Sequence, residues 1–151
     1  MIRDIIVSAI GAFGGTVGFC YLLAAPKRTI LPASVNGMIG FLIYVVLYRH
    51  MGRGVMFSHF MATVVVTVIC EMLARMMKLP STIFLLTSLV PLVPGYSFYA
   101  AMLSLVEDNG ARAASQMLGA VQIVASIAVG AAVTSVVFRM LAQRKRKMIM
   151  E

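Results

Sequence analysis

The chain alternates long apolar runs with short polar or charged junctions. A bilayer core about 30 Å thick requires about 20 apolar residues per helix, and several runs are close to that length. The predicted spans cover residues 5–25, 30–48, 57–77, 80–106 and 117–141. Only helices and closed barrels satisfy their backbone in lipid, and the alternating strand pattern of a barrel is absent from the sequence. We therefore predict an all-α membrane bundle of five transmembrane helices, forming one domain without a soluble domain.

The composition agrees with this pattern and narrows the classes of partner. Hydrophobic residues make up 61% of the 151 residues and charged residues 12%, against roughly 45–50% and about 25% in soluble domains. The net charge of +8 would indicate nucleic acid in a soluble protein, but basic residues mark the cytoplasmic loops of membrane proteins. We therefore expect membrane lipid around the chain and no nucleic acid as a partner.

The distribution of basic residues predicts the orientation. With the C-terminus in the cytoplasm, nine of the 13 basic residues lie inside, namely Lys27, Arg28, Arg75, Lys78, Arg139, Arg144, Lys145, Arg146 and Lys147. The outer side then holds Arg3, Arg49, Arg53 and Arg112. Because basic residues concentrate in cytoplasmic loops, we predict an outer N-terminus and a cytoplasmic C-terminus.

The third span carries a polar stripe. His59, Thr63, Thr67, Glu71 and Arg75 follow one another at intervals of four residues, which places them on one slowly winding face of a helix. A charge exposed to lipid costs roughly 2.5–3.5 kcal/mol, so this face should turn to the bundle interior. Glu71 is then a candidate proton-coupling group, with Arg75 tuning its pKa or attracting a carboxylate, or the two form a simple neutralising pair at the cytoplasmic boundary. His59 lies near the outer boundary, where an interfacial residue is favoured over a member of a proton relay.

The fourth span contains the sequence Pro91-Leu-Val-Pro94-Gly95 near its middle. A proline inside a helix removes a hydrogen bond and clashes with the preceding turn, so this motif predicts a broken helix, with a simple kink as the alternative. The N-terminus of a half-helix at mid-membrane attracts the anionic group of a substrate. The candidate substrate-binding residues are therefore Pro91, Pro94, Gly95, Tyr96, Ser97 and Tyr99.

Polar and small residues in the other spans admit two interpretations. Asn36 in the second span needs a hydrogen-bond partner in hydrocarbon, either on another helix or on a substrate, and it is kept as a candidate substrate contact. The pairs Gly11–Gly15 and Gly14–Gly18 in the first span are G-x-x-x-G motifs that let helices approach closely. A similar face of small residues in the fifth span is also expected to pack helices.

The sequence lacks the motifs of known intramembrane chemistry. It contains no H-E-x-x-H, no G-x-S-x-G and no phosphate-binding glycine loop. Cys20 and Cys70 stand alone inside apolar runs and have no metal-ligand spacing. We therefore expect no enzyme activity, no catalytic residues, no metal site and no cofactor.

Two stretches resemble a known family. Residues 74–84 (ARMMKLPSTIF), followed by residues 90–95 (VPLVPG) and Tyr99, are similar to the C-terminal transmembrane half of the threonine/serine exporter family. Residues 25–28 (APKR), followed by Gly37 and Gly40, fit the small subunit that forms this half in the two-component members. The resemblance covers nearly the whole chain and is densest from residue 60 to residue 103.

The resemblance implies a function and a partner. The family exports small polar metabolites across the bacterial inner membrane by using an ion gradient, so the substrate is expected to be threonine, serine or a dicarboxylate such as succinate. A small subunit implies a larger partner with the other transmembrane half and a cytoplasmic domain, with homo-oligomers as an alternative. The alternative function is a non-transporting membrane scaffold, which the small-residue faces would serve.

The orientation can be tested with single cysteines in a background that lacks Cys20 and Cys70. We expect a cysteine at Glu107 to react with a membrane-impermeant thiol reagent in intact cells, and a cysteine at Met148 to react only after the membrane is opened. Labelling of the Met148 position from outside intact cells would reverse the predicted orientation.

Overall fold

The computed structural model describes residues 2–148, with side chains described for residue 3 and residues 5–141. These residues form only helices, which confirms the all-α class. The six α-helices are α1 (Ile2–Leu22), α2 (Lys27–Val45), α3 (Val55–Met77), α4 (Ser81–Ser88), α5 (Gly95–Val106) and α6 (Gly110–Met148). A π-helical turn, Val46–His50, extends α2, and a 3₁₀ turn, Val90–Leu92, follows α4. The basic side chains at residues 144–147, which the orientation uses, lie outside the described part.

Within residues 2–148, four stretches are long and apolar enough to cross a membrane by themselves. They are Ile5–Leu22, Lys27–His50, Val55–Met77 and Gly110–Leu141. A further span combines Ser81–Leu92 with Gly95–Val106, two segments bent by 53° where they meet. The predicted break in the fourth span is therefore confirmed, and with it the bundle of membrane-spanning helices.

Proline and left-handed residues end one helix and begin the next. After α1, Ala24 has φ 50°, and after α3, Lys78 has φ 53°, a conformation that closes the last turn of a helix. Pro26 and Pro80 follow two residues later and stand just before the first turns of α2 and α4. Because proline fixes φ near −65° and needs no hydrogen-bond acceptor, it suits a helix start.

The last helix begins earlier than the apolar pattern indicates. α6 starts at Gly110, whereas the predicted span starts at residue 117, so the loop after α5 shrinks to residues 107–109. Asn109 supplies the physical reason, because its side-chain oxygen accepts a hydrogen bond from the Arg112 amide at 3.1 Å and caps the new helix. Arg112 therefore belongs to a helix and not to an outer loop.

Close contact between α2 and α3 forms the centre of the bundle. A Cβ atom added at Gly40 would collide with the Val66 side chain, so only glycine allows the two helices to approach this closely. One turn earlier, a Cβ atom at Gly37 would lie 2.6 Å from the Thr16 hydroxyl of α1. Asn36 donates from Nδ2 to the Val66 carbonyl at 3.1 Å. α2 thus packs against both α1 and α3 through one face of small and polar residues.

A neighbouring face of α3 packs on α6. A Cβ atom at Gly130 would lie 3.1 Å from the Phe60 carbonyl and 3.3 Å from the Thr63 side chain. Further along both helices, Arg75 donates to the Phe138 carbonyl at 3.3 Å. The residue numbers of the contacting positions increase together on both helices, and α3 and α6 therefore run in the same direction. This agrees with their places as third and fifth spans.

The contact at Gly40 gives a stability prediction. Gly40→Ala places a methyl group against Val66, and overpacking of this kind costs about 1–3 kcal/mol, so the purified protein should melt at a lower temperature in detergent. The matched control is Gly18→Ala on α1, where the added Cβ atom meets nothing within 4 Å. The double variant Gly40→Ala with Val66→Ala should recover part of the loss. Equal melting temperatures for the two single variants would contradict the close packing.

Candidate functional site

The break between α4 and α5 opens onto a cavity of about 300 Å³, which we call the break cavity. Its wall combines the broken segment with the end of α2, the start of α3 and one residue each from α1 and α6. The lining residues are Ser8, Phe41, Tyr44, Val45, Tyr48, Arg49, His59, Pro91, Leu92, Val93, Pro94, Gly95, Tyr96, Ser97 and Ile123. Most of its polar groups are hydroxyls, which suits a small polar ligand.

A second cleft of about 450 Å³ adjoins the break cavity between α5 and α6. The two share several lining residues, namely Tyr44, Tyr48, Tyr96, Ser97 and Ile123. The cleft adds the side chains of Gln116 and Gln122, and Gln116 Oε1 accepts a hydrogen bond from Ser104 at 3.1 Å. The polar wall therefore continues from the break along the interface of α5 and α6.

The backbone at the break provides hydrogen-bond donors. Pro94 stands at the N-cap position of α5, and its side chain cannot cap the helix. The Gly95 amide donates to the Val93 carbonyl at 2.8 Å, and Phe98 donates to the Pro94 carbonyl at 3.2 Å. The amides of Tyr96 and Ser97 lie between them in the first turn, where an α-helix offers no acceptor of its own. Amides in this position concentrate positive potential and attract anions.

The π-helical turn at the end of α2 contributes a cation. Its wider hydrogen bond runs from the Met51 amide to the Val46 carbonyl, at 3.1 Å. The extra residue per turn changes the direction of the side chains that follow, and such turns are frequent at functional sites. Tyr48 and Arg49 belong to this turn and line the break cavity. Among the described residues that line the cavity, Arg49 is the only lysine, arginine or carboxylate.

His59 lies in the same wall and is held firmly. Its side chain is 5% exposed, and its Nδ1 atom lies 2.8 Å from the Val55 carbonyl of the preceding turn. The Tyr44 ring packs on the imidazole with 4.2 Å between ring centroids, and Tyr44 itself stacks on Tyr48. His59 is therefore buried and lines a polar cavity, and its position at the membrane interface stays a prediction.

The structure brings most of the predicted substrate-binding residues into one wall. Pro91, Pro94, Gly95, Tyr96 and Ser97 all line the break cavity. Tyr99 does not line this cavity, and its side chain is 64% exposed. The role of the five lining residues in substrate binding stays a prediction.

Asn36 lies deeper in the bundle than the break cavity. Besides the Val66 carbonyl, its Nδ2 contacts the Cys70 sulfur at 3.1 Å, so the structure shows the interhelical contact that was one of its two interpretations. Asn36 Oδ1 and Thr63 Oγ1 are buried without a hydrogen-bond partner in the described part of the chain. Asn36 does not line the cavity, and its substrate role therefore has no geometric support.

Glu71 and Arg75 also lie away from the break cavity. Twelve residues separate Glu71 from His59 on α3, which corresponds to about 18 Å along the helix axis. Arg75 points to α6, where its guanidinium lies 5.0 Å from the Phe138 ring centroid. In the described part of the chain, Arg75 forms no ion pair with Glu71. The proposed proton-coupling role of these two residues stays a prediction.

The predicted site residues do not include those that the end of α2 brings to the site, and the sequence pattern places His59 on the polar stripe of α3 without connecting it to the break. Tyr44 and Tyr48 are four residues apart, a spacing that places both rings on one helix face, and Arg49 follows directly. This pattern could have marked the end of α2 as a polar surface. Nothing in the sequence indicates that a π-helical turn orients these side chains toward a break more than 40 residues away.

A helical bundle with a broken span and a polar cavity at the break defines a multi-pass membrane protein of the transporter class. The model of the threonine/serine exporter family, ThrE, matches residues 8–137. This match includes every residue that lines the break cavity and confirms the resemblance seen in the sequence. The chain therefore belongs to the threonine/serine exporter family. No solved structure matches it.

The accessibility of the break cavity can be measured with a cysteine at Ser97. Cys20 and Cys70 are fully buried, so the unmodified protein should give no background with a water-soluble thiol reagent. We expect Ser97→Cys to react in opened membranes and Thr67→Cys, which replaces a side chain 1% exposed, to remain unlabelled. Equal labelling of both positions would contradict a water-filled cavity at the break.

Proposed function

We propose that the chain is a subunit of a secondary transporter, and not an enzyme, that exports threonine and serine across a bacterial inner membrane. An ion gradient drives the export. The observation that carries the proposal is the placement of Arg49 and the first turn of α5 around one cavity. This arrangement offers a cation and free backbone amides to one carboxylate.

The chemistry of the cavity fits an amino acid with a hydroxyl side chain. The substrate carboxylate is placed between Arg49 and the amides of Tyr96 and Ser97, since charge-assisted hydrogen bonds are about twice as strong as neutral ones. The hydroxyl groups of Tyr44 and Tyr48 then accept from the ammonium and the side-chain hydroxyl of the substrate. The Tyr–Tyr stack restricts these rings, so little conformational entropy is lost on binding.

A dicarboxylate such as succinate is the second candidate substrate. It is favoured by one observation, namely that the described lining of the break cavity contains Arg49 and His59 and no carboxylate side chain. A protonated His59 would supply a second positive charge for the second carboxylate. The two substrates can therefore be separated by measuring both in the same export assay.

A larger second subunit is part of the proposal. A Cβ atom added at Gly11, Gly14, Gly15 or Gly18 of α1 would meet no other atom within 4 Å in the described part of this chain. Small residues of this spacing allow another helix to pack closely. We propose that a helix of the partner covers this face, with a second copy of the chain as the alternative occupant. In this assembly the N-terminus lies outside and the C-terminus in the cytoplasm.

The test is export from cells in which the chromosomal gene is deleted and replaced by variants. Cells loaded with threonine should export it more slowly after deletion. Arg49→Gln should raise the internal threonine concentration needed for half-maximal export by about tenfold or more, because a charged hydrogen bond contributes about 1.5–3 kcal/mol. Serine should follow threonine, and succinate export is measured in parallel.

The matched control is Arg53→Gln. Arg53 is exposed and lies over the Phe57 ring at 6.0 Å, outside the break cavity, so its replacement should leave export unchanged. Unchanged export in the deletion strain would favour the scaffold alternative and contradict the proposed function. A defect of equal size in both arginine variants would contradict the role of Arg49 in binding the carboxylate.

A further inference from the structure

The hydrogen bond of His59 fixes which ring nitrogen is available to a ligand. A carbonyl oxygen only accepts hydrogen bonds, so the Nδ1 atom that lies 2.8 Å from the Val55 carbonyl must carry a proton. In the neutral ring, Nε2 is then without a proton and can only accept. Nε2 has no hydrogen-bond partner in the described part of the chain, although the ring lines the break cavity.

The other polar side chains in the described lining are hydroxyl groups and one guanidinium, with no second histidine and no carboxylate. Tyr44 on α2, Tyr48 and Arg49 on the π-helical turn, and Tyr96 on α5 line the same cavity. From α1 and α6 the lining receives only the uncharged Ser8 and Ile123. Histidine is the side chain that changes its charge between about pH 5 and pH 8.

We propose that His59 Nε2 is the group for which the coupling proton and the ammonium group of the substrate compete. This inference rests on the proposed export function and names its coupling residue. With Nε2 unprotonated, the imidazole accepts a hydrogen bond from the ammonium while Arg49 and the start of α5 hold the carboxylate. A proton on Nε2 removes the acceptor and adds a second positive charge to a cavity that already contains Arg49.

The competition produces exchange of one proton for one substrate. A single lone pair cannot bind the proton and the ammonium together, so arrival of the proton releases the substrate. In the predicted orientation, the end of α2 and the start of α3 lie near the outer surface, where protons enter down their gradient. Substrate release on that side is export. The site then returns to the inner side with His59 protonated, and release of this proton into the cytoplasm frees Nε2 for the next substrate.

The first experiment separates binding from coupling in inside-out membrane vesicles. The vesicles come from cells that make the full chain with the partners of its own genome. Threonine–threonine exchange at equal pH on both sides needs no proton movement, whereas accumulation driven by an acidic lumen does. In the wild type, exchange should fall by about tenfold per pH unit once the ring is protonated, over the range from about pH 8 to about pH 5.5.

The informative variant is His59→Gln, whose side-chain oxygen still accepts a hydrogen bond but does not titrate. Its exchange, measured relative to its own rate at about pH 8, should lose the acid inhibition, and the variant should show no accumulation driven by the pH gradient. His50→Gln is the matched control, because His50 is exposed and does not line the cavity, and it should behave as the wild type. Retained acid inhibition and retained driven accumulation in His59→Gln would overturn the proposal.

A parallel variant, Glu71→Gln, tests the competing assignment. If His59 is the coupling group, Glu71→Gln should keep the accumulation driven by the pH gradient. If Glu71→Gln instead loses this accumulation and His59→Gln retains it, the coupling proton belongs to Glu71. The absence of threonine exchange in wild-type vesicles, compared with vesicles from the deletion strain, would instead contradict the proposed function. The two failures are therefore distinguishable.

A chemical measurement decides the question if His59→Gln is missing from the membrane. Diethylpyrocarbonate acylates unprotonated imidazole nitrogens. Cleavage after Arg53 separates His50 from His59, so mass spectrometry of the wild-type chain measures the modification of each histidine in its own peptide. Saturating threonine should slow modification of His59 by about threefold or more, because a bound ammonium occupies Nε2, and should leave His50 unaffected. Equal rates at His59 with and without threonine would overturn the proposal.

Discussion

The need to satisfy every backbone polar group in hydrocarbon determines where the site of this protein can be. Pro91 and Pro94 remove donors from the helical ladder, and the first turn of α5 begins with amides that have no helical acceptor. Exposed to lipid, these groups would each cost several kcal/mol. The break is therefore tolerated only where it faces a polar cavity, and the end of α2 supplies that cavity with hydroxyl groups and a guanidinium.

The cavity in turn depends on how closely α2 and α3 pack. Gly40 allows the Val66 side chain to occupy the space that a Cβ atom would fill, and four residues later the Tyr44 ring packs on His59. Both rings therefore lie about one helical turn from the place where the Val66 side chain packs against Gly40. Gly130 places α6 against a neighbouring face of α3, so two helices hold the helix that carries His59. The broken segment lies against a wall that is itself well packed.

The sequence predicts the elements better than the site. Apolar runs define the spans, because the bilayer sets their length, and the two prolines with Gly95 locate the break. Asn109 is a polar capping residue, which a search for apolar runs does not detect, and its cap lets α6 begin before the apolar run. The placement of Tyr48, Arg49 and His59 around the break depends on long-range packing and on a π-helical turn, which local periodicity does not report. The polar stripe on α3 faces the bundle interior at Thr63 and Thr67, as expected, because both are buried. The two ends of the stripe differ, since His59 lines the break cavity and Arg75 contacts α6.

Distance decides which acid or base on this stripe can couple a proton to a substrate. Coupling requires that protonation change the free energy of substrate binding, and the effect is reciprocal. Two unit charges about 4 Å apart interact by about 4 kcal/mol at an effective dielectric constant of about 20, and at about 18 Å, the axial separation of Glu71 from His59, the same relation gives about 0.9 kcal/mol. A factor of ten in affinity corresponds to about 1.4 kcal/mol, so a proton on Glu71 changes occupancy of the break cavity by less than tenfold. A proton on His59 acts at contact distance, where the interaction is large enough to exchange one ligand for the other.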